Sequence, residues 1–176
     1  MTGQSPLDAW LALRLGESNV EIELQTRAEA LHAIDLMVRQ ATRTIDIFSR
    51  ELDAPLFDRT EFLDAVTRFC VEHRQARLRI LVQNPKVAVQ HGNRMIELTR
   101  RFSSATEIRQ VHEDYRHYNE AFLIVDEVGV LHRPLADRYE GTANLHDPVR
   151  SNRLLKFFVE VWERSELHPD LRRLHI

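Results

Sequence analysis

The chain alternates short apolar runs of strand periodicity with longer segments in which apolar residues recur at helical spacing. The run "VEIEL" at residues 20–24 alternates apolar and acidic positions, which predicts a strand with one buried face. Thr26 with Glu29 three residues later forms a capping box, so a helix is expected to follow. The same pattern predicts further strands at 43–49, 77–83 and 106–113, and further helices opening at Asp58 or Thr60 and at Pro85.

The last third of the chain has a different order of elements. Two apolar runs, 120–126 and 129–135, are separated by a tight polar turn and predict a β-hairpin. A polar loop is expected over 133–144, and Asp147 with Pro148 predicts the start of a final helix. Strands and helices that alternate in this way predict an α/β sandwich with a mixed, largely parallel sheet that has an antiparallel edge.

Composition narrows the class of protein. A chain of 176 residues with 43% hydrophobic and 29% charged residues suits one soluble domain, which we expect at 19–166, between an arm at 1–18 and a tail at 167–176. The net charge of −3 argues against a broad basic surface for nucleic acid and leaves a local patch open. A lone cysteine and the lack of a long apolar run favour a cytoplasmic protein with no membrane span. The nine histidines are scattered, so neither a metal nor a cofactor is expected.

One motif carries chemical information. The run "FLIVD" ends in Asp126 before the hairpin turn, and "GTAN" follows at 141–144. Together they resemble one half of the phospholipase D superfamily, whose motif is His-x-Lys, four residues, Asp, and then Gly-Ser-x-Asn. The resemblance places Gly141, Thr142 and Asn144 on the Gly, Ser and Asn, and it implies the phospholipase D-like αβα sandwich. The chain also resembles a bacterial family of standalone or acetyltransferase-fused domains in "HRPLADRYEGTAN" and "EVWERS", which implies no function.

The two chemically active positions of that motif hold other residues. Seven positions before Asp126 the chain has Asn119 where the family has its nucleophilic histidine, and Ala121 stands at the position of the phosphate-binding lysine. A carboxamide is neither a nucleophile nor a useful base, and a methyl group carries no charge. We therefore expect a catalytically degenerate domain with no catalytic residue. Single-copy members pair two halves, so the resemblance also implies a homodimer.

Several side chains remain as ligand-binding candidates, namely His117, Asn119, His132, Arg133, Arg138, Thr142 and Asn144. Arg133 and Arg138 suit either an ion-paired loop anchor, which we favour, or a fork for a phosphate. Thr142 and Asn144 suit capping of the turn into the last helix. Arg50 ends the second strand at the carboxyl edge where such sheets bind ligands, although a cap or loop pair would also explain it.

Three functions stay open from the sequence. The first is a binding or regulatory module for a phosphate-bearing ligand or a protein partner. The second is a phosphodiesterase that uses His117 or His132 instead, although His117 lies about 7 Å along the strand from the expected position. The third is a nucleic-acid-binding module without cleavage, which the acidic net charge disfavours but does not exclude.

Overall fold

The structure is a computed structural model that describes residues 6–172, with side chains described for residues 7–171. The ends of the expected arm and tail, residues 1–5 and 173–176, lie outside the described residues. In chain order the elements are α1 (Pro6–Trp10), β1 (Ile22–Leu24), α2 (Arg27–Val38), β2 (Thr44–Ser49), α3 (Ala54–Phe57), α4 (Thr60–Glu72), β3 (Arg77–Val82), α5 (Pro85–His91), α6 (Arg94–Arg101), β4 (Thr106–Gln110), β5 (Ala121–Val125), β6 (Gly129–Arg133), β7 (Gly141–Asn144), α7 (Pro148–Arg164) and α8 (Pro169–Arg172).

The strands form one sheet in the order β1-β7-β6-β5-β2-β3-β4. The predicted mixed α/β sandwich is confirmed, but the expectation of a largely parallel sheet is wrong. Only β2, β3 and β4 pair in parallel, and the other four strand pairs are antiparallel. Parallel neighbours need a long crossover, whereas only a single 3-10 turn at Glu113–Tyr115 connects β4 to β5. β5 therefore lies beside β2 in the antiparallel direction. β1 pairs with β7 and is the last strand of the sheet on the side away from β4.

Each face of the sheet has its own hydrophobic core. Side chains alternate between the faces along a strand, and in β5 Leu123 lies in one core while Phe122 lies in the other. The helices α2, α4 and α6 cover the first face, where Ile34 and Phe62 are fully buried. Helix α7 covers the second face, and its Phe158 stacks on Trp162. The helices thus enclose the sheet on both sides, as the αβα sandwich requires.

The segment before β1 packs against the body of the domain. Trp10 contacts the ring of His32, and Leu13 packs on the first core, whereas Leu11 remains 55% exposed. The amide of Leu15 donates to Gln40 Oε1 at 2.9 Å. The arm thus adds to the layer of α2.

Two local predictions need correction. The single helix expected from Pro85 is divided into α5 and α6, because Gly92 adopts a left-handed conformation with φ of 70° and Asn93 caps the next helix. The polar loop expected over 133–144 contains strand β7. Its Gly141 lies so close to β6 that a Cβ would be 2.2 Å from the carbonyl oxygen of His132, so only glycine fits.

Several strands begin or end on the same side of the sheet, and polar residues lie at these strand ends. Strands β2, β3 and β4 end there at Ser49, Val82 and Gln110, and the antiparallel β5 begins there at Ala121. We call this the site edge. Within residues 6–172 no helix is long and apolar enough to cross a membrane.

Candidate functional site

A cavity of about 410 Å³ opens at the site edge, between the ends of β2 and β3 and the segment that leads into β5. We call it the site cavity. Its lining is formed by Arg50, Glu51, Gln83, Asn84, Arg116, His117 and Asn119. The segments meet because β5 runs antiparallel to β2, so residues that precede β5 come beside residues that follow β2. This brings together two of the sequence candidates, His117 and Asn119.

Asn119 is bound by an arginine from the neighbouring strand. Arg50 Nη2 donates to Asn119 Oδ1 at 3.1 Å. The backbone on both sides is fixed, because the amide of Asn84 donates to the Arg50 carbonyl at 2.7 Å and the amide of Ala136 donates to the Asn119 carbonyl at 2.8 Å. A guanidinium thus lies directly beside the side chain that stands where the motif has its nucleophile.

The rest of the lining is mostly cationic or neutral. Arg116 Nε donates to His117 Nε2 at 3.4 Å, and both side chains are exposed to solvent. Together with Arg50 they place two guanidinium groups and an imidazole around the cavity, against the single carboxylate of Glu51. Guanidinium groups bind phosphate and carboxylate through paired hydrogen bonds, so this lining suits a small anion.

His132 lies outside the site cavity, in a polar cluster on the face covered by α7. Its Nε2 is 2.5 Å from Glu120 Oε2, and the hydroxyl of Tyr118 donates to the same oxygen at 3.0 Å. Burial raises the pKa of Tyr118, and the neighbouring Glu120 carboxylate raises it further. The phenol therefore remains a donor at neutral pH. The cluster fixes Glu120, which lies between the two motif positions 119 and 121.

Arg133 is almost completely buried and is bound within the protein. Its Nη2 is 2.5 Å from Asp53 Oδ2, and its Nη1 donates to the carbonyls of Ala136 at 3.2 Å and Arg138 at 2.9 Å. The side chain of Arg138 is exposed, and this residue contacts Arg133 through its backbone carbonyl. These contacts make Arg133 an anchor of the loop between β6 and β7.

The Thr and Asn of "GTAN" lie on the far strand β7 and brace it. Thr142 Oγ1 accepts from Arg150 Nη1 at 2.8 Å, which connects β7 to α7. Asn144 Nδ2 donates to Asn19 Oδ1 at 2.8 Å, and its Oδ1 accepts from the amide of His146 at 2.9 Å. Neither residue belongs to the lining of the site cavity.

Asp126 lies at the edge of the sheet opposite the site edge. Its carboxylate accepts from the amides of Thr42, Arg43 and Thr44 and from the Thr42 hydroxyl, at 2.7 to 3.0 Å. The carboxylate thus ties the β5–β6 turn to the start of β2. Ala121 is buried in β5 and pairs with Arg133 of β6.

Sequence reasoning did not identify four residues of the lining, Glu51, Gln83, Asn84 and Arg116. Gln83 and Asn84 were taken only as the end of a strand, although they follow β3 as Arg50 follows β2, and the rule for strand ends could have found them. Arg116 gave no signal, because its position depends on the 3-10 turn before it. Among the described side chains no three His, Cys, Asp or Glu residues are arranged to hold a metal ion.

The architecture is that of phospholipase D-like proteins. It is similar to Nuc from Salmonella typhimurium, a phospholipase D family member, with a TM-score of 0.54 and 14% identity over 85% of this chain and 99% of Nuc. It is also similar to NucT from Helicobacter pylori, with a TM-score of 0.56 and 13% identity over 85% of this chain and 98% of NucT.

A longer structural relative is TrmBL2, an archaeal chromatin protein with a novel mode of DNA binding. The TM-score is 0.61 with 14% identity over 96% of this chain, which spans 57% of the length of TrmBL2. At these identities the likeness establishes the fold alone.

By sequence, residues 26–174 match the family described as Domain of unknown function (DUF7931), so the chain belongs to that family. No curated protein matches the sequence.

Proposed function

We propose that this phospholipase D-like domain binds a phosphate-bearing ligand in the site cavity and does not cleave it. The observation that carries the proposal is the hydrogen bond from Arg50 to Asn119. A carboxamide occupies the position that the motif resemblance gives to the nucleophile, and it cannot form a phospho-enzyme. A guanidinium adjoins it, so the position keeps a means to bind phosphate.

The charge of the lining supports an anionic ligand. Arg50 and Arg116 are both on the cavity wall, and the amides of Asn84 and Asn119 add neutral hydrogen-bonding groups. Ala121, at the position that the resemblance gives to the lysine, is buried and does not belong to the lining, so the cations come from the loops and not from β5. Such an arrangement binds phosphate by its charge and shape without chemistry on the ester bond.

The direct test is calorimetric titration of the protein with inorganic phosphate and with pyrophosphate. Arg50→Ala should weaken binding about tenfold or more, because a hydrogen bond to a charged group contributes about 1.5–3 kcal/mol. Arg74→Ala is the matched control, since Arg74 is an exposed arginine before β3, near the opposite edge of the sheet. The proposal fails if wild-type protein shows no saturable binding, or if both variants bind alike.

A hydrolysis assay on the same protein tests whether another residue has taken over the catalytic role. Incubation with bis-(p-nitrophenyl) phosphate should release no nitrophenol above a heat-inactivated control. Hydrolysis that is lost in His117→Ala would replace the binding proposal with a phosphodiesterase that uses His117, which lines the same cavity.

A second candidate is nucleic-acid binding without cleavage. It is favoured by the likeness in fold to TrmBL2, a DNA-binding chromatin protein, over 96% of this chain. The site cavity would then take one phosphate of the backbone. This candidate predicts that affinity for single- or double-stranded DNA falls steeply with salt, and that Arg50→Ala reduces the slope. Absent or salt-independent binding in a fluorescence anisotropy titration would remove it.

A further inference from the structure

We infer that Arg133 and Asp53 are positioning residues, and that the ion pair between the buried Arg133 and the half-buried Asp53 holds the loop that presents Arg50 to the ligand. The loop is residues 50–53, which we call the Arg50 loop. The inference rests on the proposed function, because it concerns how the same cavity is organised. It assigns to Arg133 a role through Asp53 and no direct contact with the ligand.

The first observation is the place of Arg133 in the sheet. Arg133 of β6 lies directly opposite Ala121 of β5, so the two side chains share one face of the sheet. Ala121 is buried and carries no charge, and the side chain of Arg133 is only 4% exposed. In this cross-strand pair the positive charge therefore comes from Arg133 of β6, and it is paired with the carboxylate of Asp53.

The second observation is the burial of that cation. A buried guanidinium is strongly unfavourable unless a counter-charge and hydrogen bonds compensate for its lost hydration. Asp53 supplies the counter-charge, and the carbonyls of Ala136 and Arg138 take up a further nitrogen. Release of Asp53 would leave Arg133 buried without its partner, so the ion pair holds Asp53 firmly in place.

The third observation is strain inside the Arg50 loop. Leu52 has φ of 60°, a left-handed conformation that is rare for a bulky residue. Its amide donates to Ser49 Oγ at 3.0 Å, and its carbonyl accepts from Asn93 Nδ2 at 3.2 Å. Ser49 and Asn93 are themselves buried. Strained residues persist where the surroundings determine the conformation, and they concentrate at functional sites.

Together these contacts fix both ends of the Arg50 loop. At the start, the amide of Asn84 donates to the carbonyl of Arg50. At the end, Arg133 binds the carboxylate of Asp53. A fixed backbone restricts where the guanidinium of Arg50 can lie, which lowers the entropy lost when a ligand binds. The loop is therefore preorganised for an anion, although it contains two carboxylates of its own.

The two carboxylates allow a test in which the direction of the change in anion affinity decides between two explanations. Glu51 and Asp53 belong to the same loop, but of the two only Glu51 lines the site cavity and only Asp53 is paired with Arg133. If both acted on an anion through their charge alone, neutralising either one would tighten binding. If Asp53 positions Arg50, neutralising it loosens the loop and weakens binding in spite of the lost negative charge.

The experiment measures the Kd for pyrophosphate in wild type, Asp53→Asn and Glu51→Gln, with thermal unfolding of each. Glu51→Gln should bind about twofold more tightly, and this gain should shrink at high salt because screening removes it. Asp53→Asn should bind about threefold or more weakly at both salt concentrations, since one charged hydrogen bond is at stake. Ser49→Ala changes no charge and removes the hydroxyl oxygen that accepts from the Leu52 amide, so it should also weaken binding, and it serves if Asp53→Asn does not fold.

The outcomes separate this inference from the function on which it rests. No saturable binding in wild type overturns the proposed function itself. Saturable wild-type binding with Asp53→Asn equal to or tighter than wild type, as for Glu51→Gln, overturns the positioning role and leaves the function standing. Where Asp53→Asn does not fold, unchanged binding in Ser49→Ala overturns the positioning role in the same way.

Discussion

The carboxylate of Asp126 accepts four hydrogen bonds from residues 42–44 at the start of β2, and it does so at the edge of the sheet away from the site cavity. Thr142 and Asn144 likewise bind Arg150, His146 and Asn19 outside the cavity. The residues that the resemblance places on the phospholipase D motif, Asp126, Thr142 and Asn144, are thus engaged in holding strands together.

Asp126→Asn should destabilise the fold and leave ligand binding unchanged. The asparagine has one acceptor oxygen in place of two, and its amino group would face amide donors, so we expect a loss of about 2–3 kcal/mol in the free energy of unfolding. Urea denaturation measures that loss, and calorimetry with phosphate measures binding. Glu127→Gln is the matched control, because Glu127 is the exposed neighbour in the same turn and should change stability by less than about 0.5 kcal/mol. A normal stability for Asp126→Asn, or a loss of phosphate affinity, would contradict this assignment.

At single residues the sequence was informative where a short motif or a strand end defined the position. Asn119 could be located by counting back from Asp126, Asn144 by the match of its segment 141–144 to the motif, and Arg50 by its place after β2. Arg116 could not be located, because no periodicity extends through the turn that carries it into the cavity. The pairing of Arg133 with Asp53 joins residues 80 positions apart, and local patterns contain no information on such contacts.

At the scale of elements, the segment from Pro85 to Arg101 shows how one residue changes the outcome. Its apolar residues fit a single helical stripe, so the pattern predicted one helix. The structure divides it at Gly92, and Asn93 then both caps α6 and binds the Arg50 loop through Leu52. The break between α5 and α6 therefore provides a hydrogen bond to the Arg50 loop, which a continuous helix would not provide.

Gly92→Ala distinguishes one continuous helix from two separate helices by the sign of its effect on the stability of the protein. In a continuous helix, alanine would stabilise the protein by about 1 kcal/mol. At φ of 70°, it should instead destabilise by about 1–2 kcal/mol, and the cause is the backbone alone because a Cβ there meets no atom within 4 Å. Urea denaturation gives the sign, with Gln90→Ala on the exposed side of α5 as the control. A stabilised Gly92→Ala protein would show that α5 and α6 are one helix in solution.

The strands were predicted more securely than their pairing. Each of the five longer strands was expected within a few residues of its observed position, because buried strands give clear apolar runs. β7 was missed because its four residues, Gly, Thr, Ala and Asn, include no large apolar side chain. The antiparallel β5–β6 hairpin was predicted, but the antiparallel pairing of β5 with β2 and of β1 with β7 was not. That direction depends on which connections are long enough to cross the sheet, and a run of apolar residues does not show it.

For the whole molecule, the main consequence of the sheet order is that one edge is lined by ends of strands and bears the cationic cavity. The helices cover both faces, so the site edge is where polar groups of Arg50, Asn84 and Asn119 can reach a ligand. The homodimer implied by the resemblance would bring two such edges together. In that arrangement the arginines of one copy face those of the other, because a two-fold contact is made by the same patch on both.

Self-association should therefore depend on the anion and not only on ionic strength. Two cationic edges repel each other in chloride, whereas a polyvalent anion bound between them neutralises both, so we expect more dimer in phosphate than in chloride at equal ionic strength. Sedimentation velocity over a range of protein concentrations measures the fractions. Arg50→Ala should abolish the difference between the two salts, while Arg74→Ala should keep it. A monomer in both salts would remove the homodimer, and a dimer of equal strength in both would place its interface elsewhere than the site edge.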